Sequence, residues 1–157
     1  MAKVVPAPDE VNLRRGIDHI GVSVCAIIHD GKGNFLLMKR GPKARDERGR
    51  WDIVGGAVEF GESIDEAIKR EVKEELCVEP QTIDFLKVYD AHREHEGNQT
   101  HWVALTHAVK VNRSNVKIGE PHKISEIGWF TSKNLPSPLH SQFKKTLDEA
   151  LAEGFVK

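Results

Sequence analysis

Three glutamates lie close together in the run Arg70-Glu71-Val72-Lys73-Glu74-Glu75. If this run is helical, 3.6 residues per turn place Glu71, Glu74 and Glu75 within roughly 100° of one another around the helix axis. Carboxylates held this close repel one another unless a cation neutralises them. Hard oxygen ligands suit Mg²⁺ or Mn²⁺. The spacing therefore predicts a divalent-metal site on one face of a helix.

The same helix also fits a structural explanation. Its acidic face would then be solvated and paired with the neighbouring basic residues Lys69, Arg70 and Lys73. However, the apolar stripe that begins at Ile64 reaches Glu71 seven residues later. A carboxylate at the border of a buried stripe is unfavourable for folding, and such placements often mark function. The helix by itself leaves both interpretations open.

The residues before the helix favour the metal site. Gly56 is followed after five residues by Glu62, and after seven more by Arg70–Val78. This pattern resembles the Nudix box, which reads G, five residues, E, seven residues, R-E, an aliphatic residue, any residue, E-E, any residue, G and an aliphatic residue. Cys77 stands where the family has Gly, and Val54 where Pro is frequent. A left-handed backbone is usual at the Gly position, so Cys77 predicts a strained helix end.

The resemblance extends beyond the box. It includes Trp51 and Gly55 before the box, and Glu120-Pro121, Ile127–Phe130 and Leu135-Pro136 after it, so that it covers most of Ile20–Leu151. It implies an α+β fold, the Nudix-type α/β/α sandwich with a mixed central β-sheet. It also implies a Mg²⁺-dependent hydrolase that cuts a phosphoanhydride.

The resemblance assigns roles to the box residues. Glu71, Glu74 and Glu75 would bind Mg²⁺ or Mn²⁺, and the carbonyl of Gly55 or Gly56 would complete the coordination. Either Glu71 or Glu74 would lie nearest to the attacking water.

Further roles fall on residues around this cluster. Arg70 would hold the glutamate carboxylates in place, and Glu62 would brace the loop against the helix. The family often draws another acidic ligand or base from a late loop. Glu120 is the first candidate for that role, followed by Glu94 and Glu96.

Candidate substrate contacts lie on both sides of the box. The basic loop from Lys39 to Arg50 is typical of a solvated loop, with Lys39 and Arg40 as the predicted phosphate contacts. A second polar loop is predicted to hold three histidines, His92, His95 and His101. No cysteine or carboxylate arrangement fixes tetrahedral geometry there, which disfavours zinc. We expect this loop to line the substrate mouth, where a base can stack on one of these histidines or on Trp102.

The hydrophobic pattern predicts the elements that position these residues. Strands are predicted at Ile20–Ile28 and Phe35–Met38 (as a hairpin), Trp51–Val54 and Ala57–Phe60 (separated by Gly55-Gly56), Ile83–Tyr89, Trp102–Val111 and Ile127–Phe130. A helix should begin at Ser63, where Glu66 has the capping-box spacing, and end near Leu76. A last helix is predicted at about 139–152.

Composition limits the class of protein. A chain of 157 residues is about the size of one domain, so 1–157 is expected to be a single domain with an irregular arm at 1–15. The net charge of −1 argues against broad attraction to nucleic acid or to an anionic membrane. With no signal peptide and no long apolar run, and with Cys25 and Cys77 too few for a disulfide framework, a cytoplasmic protein is expected.

The box predicts the reaction more sharply than the substrate. The leading interpretation is a MutT-like nucleoside-triphosphate pyrophosphatase, and the alternative is an ADP-ribose or nucleotide-sugar pyrophosphatase. An alternative of another class is a non-catalytic Nudix domain that senses a nucleotide. The expected partner is a nucleotide-like small molecule, and a homodimer is common in the family.

Overall fold

A computed structural model describes residues 12–154 of the protein. One sheet is formed by seven strands, which are β1 (Gly21–His29), β2 (Phe35–Arg40), β3 (Trp51–Asp52), β4 (Val54–Ala57), β5 (Thr82–His95), β6 (Asn98–Lys110) and β7 (Ile124–Phe130). The α-helices of this region are α1 (Ile64–Leu76) and α2 (Phe143–Ala152), and a 3₁₀ turn spans Arg113–Asn115. None of its helices is long and apolar enough to cross a membrane.

Strand β1 is the centre of a mixed sheet. It runs parallel to β6 along its whole length and antiparallel to β2 and β4. The strand order is β3-β2-β1-β6-β5, with β4 beside β1 and β7 beside β2. The predicted β1–β2 hairpin exists, but its register pairs only two residues on each strand because β4 occupies the rest of that edge of β1.

Alternation along the strands separates two hydrophobic cores. On one face, Val24, Ala26 and Ile28 of β1 pack with the apolar stripe of α1, which consists of Ala67, Ile68, Val72 and Leu76. On the other face, Ile27, Phe35 and Leu37 pack with Phe143, Leu147 and Ala150 of α2. Successive side chains of a strand point to opposite faces, so the sheet buries both sides. The predicted α/β/α sandwich with a mixed sheet is confirmed.

Both ends of α1 agree with the sequence. The Ser63 side chain accepts from the Glu66 N–H and the Glu66 side chain accepts from the Ser63 N–H, which completes the capping box. At the other end, Cys77 has φ 56° and ψ 30°, the left-handed conformation expected of the family's glycine. Its N–H donates to the carbonyl of Lys73 at 3.0 Å. An L-residue in this conformation costs about 1–2 kcal/mol.

The second polar loop was predicted wrongly. The three histidines lie in a long antiparallel hairpin, in which β5 extends to His95 and β6 begins at Asn98. The hairpin turns at Glu96-Gly97, where both residues have positive φ. Its two faces are polar for different reasons, since one lines a cavity and the other contacts solvent, so the usual apolar-polar alternation is missing.

Several boundaries also differ from the prediction. The predicted strand at Ala57–Phe60 was wrong, since β4 ends at Ala57, and β7 begins at Ile124 instead of Ile127. Strand β2 continues to Arg40, so Lys39 and Arg40 are strand residues and the loop begins at Gly41. Gly55 and Gly56 lie inside β4 instead of interrupting the strand, because β1 pairs with both. Helix α2 begins at Phe143. Residues 1–11 of the predicted arm lie outside the described residues, and Arg14 forms an ion pair with Asp18 at 2.9 Å.

Candidate active site

Arg70 connects the residues at the start of the box with the glutamates of α1. Its Nε donates to Glu62 at 2.7 Å, and one terminal nitrogen donates to the carbonyl of Ala57 at 3.0 Å. The other terminal nitrogen donates to Glu71 at 2.7 Å and to Glu74 at 3.4 Å. The hydrogen bond from Arg70 holds the pKa of Glu62 at about 2. Arg70 thus fixes the loop, the helix and two carboxylates relative to one another.

Glu71 lies against the backbone of β4. Its side chain is 12% exposed, and a Cβ atom at Gly56 would overlap its carboxylate. A side chain at position 56 would therefore displace the carboxylate from the place where Arg70 holds it. Burial raises the pKa of Glu71, the hydrogen bond from Arg70 opposes that effect, and the charges of Glu74 and Glu120 add to it.

Glu75 is the most deeply buried carboxylate of the box. The residue is 9% exposed, and its Oε2 atom is buried without a hydrogen-bond partner. Burial raises its pKa well above the ordinary value, the charges of Glu71, Glu120 and Asp52 raise it further, and a hydrogen bond from the Gly55 backbone lowers it. A buried oxygen without a donor, surrounded by other carboxylates, matches the requirements of a divalent cation.

The loop after the 3₁₀ turn brings Glu120 to this cluster. The N–H of Lys117 donates to the carbonyl of Leu76 at 3.0 Å, and the N–H of Gly119 donates to that of Glu75 at 2.9 Å. The backbones approach so closely that a Cβ at Gly119 would overlap the carbonyl of Glu74. Glu120 pairs with Lys123 at 3.3 Å, and its negative charge is close enough to raise the pKa of both Glu71 and Glu75.

The two reserve candidates for the late acidic residue lie elsewhere. Glu94 is an exposed residue of β5, and Glu96 is at the tip of the hairpin. Neither they nor Glu120 line the cavity described next, but the charge of Glu120 raises the pKa of both Glu71 and Glu75. The late-loop candidate that the structure brings to the box is Glu120.

A cavity of about 700 Å³ opens beside the carboxylates. Trp102 of β6 forms part of its wall, and the Arg45 guanidinium lies 5.8 Å from the centre of the indole ring. A Cβ at either Gly16 or Gly21 would overlap the indole, so the backbone at both glycines lies close against the ring. An aromatic ring beside a cationic group can take a planar, anionic ligand.

Comparison with known proteins decides the family, because the model of the NUDIX domain matches residues 19–151. The chain belongs to the Nudix hydrolase family. It is 34% identical to an ADP-ribose pyrophosphatase of Methanocaldococcus jannaschii over 75% of this chain and 66% of that protein. It is also 30% identical to the 8-oxo-dGDP phosphatase NUDT18 of Homo sapiens, over 87% of this chain and 38% of that protein.

Solved structures agree with this assignment. A MutT Nudix hydrolase from Burkholderia pseudomallei superposes with a TM-score of 0.74 at 30% identity, over 83% of this chain and 98% of that one. The superposition therefore covers nearly the whole of the Burkholderia structure. By contrast, this chain spans no more than about two thirds of the curated relatives named above.

The two predicted phosphate contacts of this Nudix chain differ in how they are engaged. Lys39 lines the cavity, and its Nζ lies 3.9 Å from Glu126. Arg40 also lines the cavity, but its guanidinium is bound internally by Asp46 at 2.7 Å and Asp52 at 3.2 Å. Arg40 therefore anchors the loop that follows β2. The ammonium group of Lys39 is paired more weakly than the guanidinium of Arg40.

A charged network in the cavity wall was missed from the sequence. His140 Nε2 lies 2.6 Å from Glu47, which also binds Arg93 at 2.7 Å. Arg93 reaches Asp46 at 3.1 Å, and partial burial raises the pKa of the neighbouring Asp52 despite its cationic neighbours. These residues come from four separate segments. Only Arg93 carried a signal, since the alternation Tyr89, Ala91, Arg93 would have placed it on the inner face of a strand.

The cysteines of the Nudix domain do not supply a nucleophile. Cys25 lies on β1 at the cavity, and burial raises the pKa of its thiol to about 12, so the thiolate is not populated near neutral pH. Cys77 is exposed at the end of α1 and is not among the residues that line the cavity. The carboxylate cluster is thus the part of this site equipped for chemistry.

Proposed function

We propose that this chain is a Mg²⁺-dependent hydrolase that cuts a phosphoanhydride in a nucleoside diphosphate derivative. The observation that carries the proposal is the Glu75 carboxylate, buried with one oxygen lacking a donor and with Glu71 and Glu120 close by. Leaving such a cluster without a cation is unfavourable, which argues against a solvated structural face. Bound Mg²⁺ supplies charge neutralisation of the diphosphate oxygens and acidifies the attacking water. Mn²⁺ has the same ligand preference.

The side chains present fit this role. The carboxylates of Glu71, Glu74, Glu75 and Glu120, with the carbonyl of Gly56, would hold the cation. Arg70 fixes Glu71 and Glu74 in one orientation, so that either can accept the proton of the attacking water. Glu62 keeps Arg70 in place through two hydrogen bonds of 2.7 and 3.0 Å. A prearranged set of this kind needs little rearrangement when substrate binds.

For the substrate we propose a nucleoside triphosphate, hydrolysed to a nucleoside monophosphate and pyrophosphate. The cavity volume of about 700 Å³ is in the range of small-molecule sites. In this arrangement Trp102 would stack on the base while Lys39 and Arg45 meet the phosphates. The likeness to a MutT Nudix hydrolase at 30% identity supports this class.

A second candidate is ADP-ribose or a nucleotide sugar. The 34% identity to an ADP-ribose pyrophosphatase favours it. The two candidates differ in the group that leaves, since ADP-ribose would give AMP and ribose 5-phosphate with no pyrophosphate.

A substrate screen tests both proposals. The purified chain is incubated with Mg²⁺ and dNTPs, oxidised dNTPs, ADP-ribose, nucleotide sugars or dinucleoside polyphosphates, and the products are separated by chromatography. Release of pyrophosphate from triphosphates is the expected result. Inert triphosphates with cleaved ADP-ribose would replace the first candidate by the second. Tight nucleotide binding without hydrolysis of any compound would indicate a nucleotide-sensing domain and refute the proposed enzyme.

A further inference from the structure

A group of potential metal ligands lies outside the proposed active site, on the β5–β6 hairpin. It comprises Asp90 and His92 of β5 and His101 of β6, whose ligand atoms all lie within 4.8 Å of one another. His101 Nε2 is 2.9 Å from the Asp90 carboxylate, and the two imidazole rings are 4.2 Å apart between centroids. His92 and Asp90 are exposed and His101 is partly buried, so an ion from solvent can reach all three.

The register of the hairpin explains why these side chains converge. His92 and His101 are direct cross-strand partners. The N–H of His101 donates away from β5, to the carbonyl of Gly16 at 2.7 Å, which makes this a non-hydrogen-bonded pair. Side chains are closest at such pairs. Asp90 is two residues before His92 and therefore points to the same face.

This face of the hairpin is opposite to the cavity. The intervening residues Ala91, Arg93 and Trp102 line the cavity from the inner face. The cluster lies on the outer face, where His92 and His101 line a small recess together with His19. It is therefore separate from the box carboxylates and shares no ligand with them.

We propose that Asp90, His92 and His101 bind one divalent transition-metal ion, with Zn²⁺ as the best match. Two imidazoles and one carboxylate suit Zn²⁺, Ni²⁺ or Cu²⁺, whereas Mg²⁺ prefers all-oxygen ligands. Three protein ligands leave one position of a tetrahedral ion for water. The sequence disfavoured zinc because the histidines were placed in a loop and Asp90 was not considered, whereas the paired strands bring all three groups together.

The bound ion would link the two strands on the face behind Trp102 and Arg93. An ion that binds the folded hairpin and not the unfolded chain stabilises the fold by mass action. Zn²⁺ should therefore raise the unfolding temperature of the protein, and this effect should depend on the histidines.

Calorimetric titration with Zn²⁺ in excess Mg²⁺ tests the proposal, because Mg²⁺ competes for the oxygen ligands proposed in the box and not for the imidazoles of the hairpin. One Zn²⁺ is expected to bind per chain. His92→Ala and His101→Ala should each weaken binding by ~100-fold or more, exceeding the 10–100-fold typical of groups outside the coordination shell. Asp90→Asn should weaken binding as well. His122→Ala removes an exposed histidine elsewhere and should leave the affinity unchanged.

Two further measurements exclude trivial explanations. Circular dichroism of each metal-free variant verifies that the hairpin substitutions leave the fold intact. Co²⁺ in excess Mg²⁺ should give the intense visible absorption of a tetrahedral ion with the original protein and His122→Ala, and lose it with His92→Ala. The proposed site would be overturned if the folded His92→Ala and His101→Ala variants bound Zn²⁺ as tightly as the original protein. It would also be overturned if the original protein bound no Zn²⁺ in excess Mg²⁺.

Discussion

At the scale of single residues, exposure separates the three box glutamates. Glu75 is buried, the Glu71 side chain is 12% exposed, and that of Glu74 is 48% exposed. The first two are held where a charge is unfavourable without a cation. Glu74 faces the cavity with little burial, so its substitution tests chemistry with the least effect on folding.

We expect Glu74→Gln to lower turnover by roughly 10²–10⁴-fold, the range for loss of a positioned proton acceptor, while the fold persists. The change removes one negative charge and keeps the shape of the side chain. Steady-state hydrolysis of the substrate found in the screen, at saturating Mg²⁺, measures the effect. Glu79→Gln is the matched control, because Glu79 is exposed just beyond α1 and pairs with Lys73. Equal activity of the two variants would refute the assignment of Glu74.

A second residue-scale prediction concerns His107, which is buried on β6 with its ring 5.5 Å from Phe85. Burial lowers the pKa of His107 below 6.5 in the folded protein. The unfolded state therefore binds more protons between the two values, and stability falls as the pH drops from about 6.5 through the folded pKa, by at most ~1.4 kcal/mol per pH unit. Urea unfolding across this range should show a shallower pH dependence in His107→Gln. An identical dependence in both proteins would contradict this account.

At the scale of elements, the two ends of α1 obey different constraints. Ser63 has an ordinary extended backbone and a complete capping box, so this end could be predicted from two residues. At the other end, the left-handed backbone is dictated by the path of the chain toward Val78. The side chain at position 77 does not favour this left-handed conformation, which a residue with a Cβ atom adopts only with strain.

Cys77→Gly should therefore stabilise the protein by about 1 kcal/mol, because glycine adopts the left-handed conformation without strain. Urea unfolding followed by circular dichroism measures the change. Cys77→Ala is the control, since alanine removes the thiol but keeps a Cβ in the same backbone conformation. If alanine stabilised as much as glycine, the thiol and not the backbone would be responsible.

The hairpin shows where local pattern stops predicting structure. Helix α1 carries its own periodicity and caps, and the buried strands β1 and β2 carry apolar runs. The outer half of β5–β6 lacks such a signal because Arg93 faces a charged cavity wall and His92 faces solvent. The parallel pairing of β6 with β1 begins only at Trp102, so the outer half of the hairpin is held by β5 and β6 pairing with each other. The network of Glu47, His140 and Arg93 was unpredictable because it joins segments that are distant in the sequence.

At the scale of the whole molecule, the carboxylates belong to one helix but their environment comes from several elements. Strand β4 supplies the glycine backbone against Glu71, and the Gly119 loop delivers Glu120. Strand β3 contributes the partly buried Asp52 near Glu75. The box spacing could predict the proposed ligands, whereas the concentration of negative charge around Glu75 required the assembled fold. Under the proposed assignment, the stability of the whole domain depends on the cation.

We therefore expect Mg²⁺ to raise the free energy of unfolding, since the unfolded chain has no assembled site. Ligand at 100 times its dissociation constant adds about 2.7 kcal/mol by mass action. Glu75→Gln should lose most of this gain because it removes the most deeply buried carboxylate, while Glu79→Gln should keep it. Thermal unfolding with Mg²⁺ and with a chelator, at matched ionic strength, measures the difference. Equal stabilisation of Glu75→Gln and Glu79→Gln would show that the cation is bound elsewhere, because only the first substitution changes the cluster around Asp52 and Glu120.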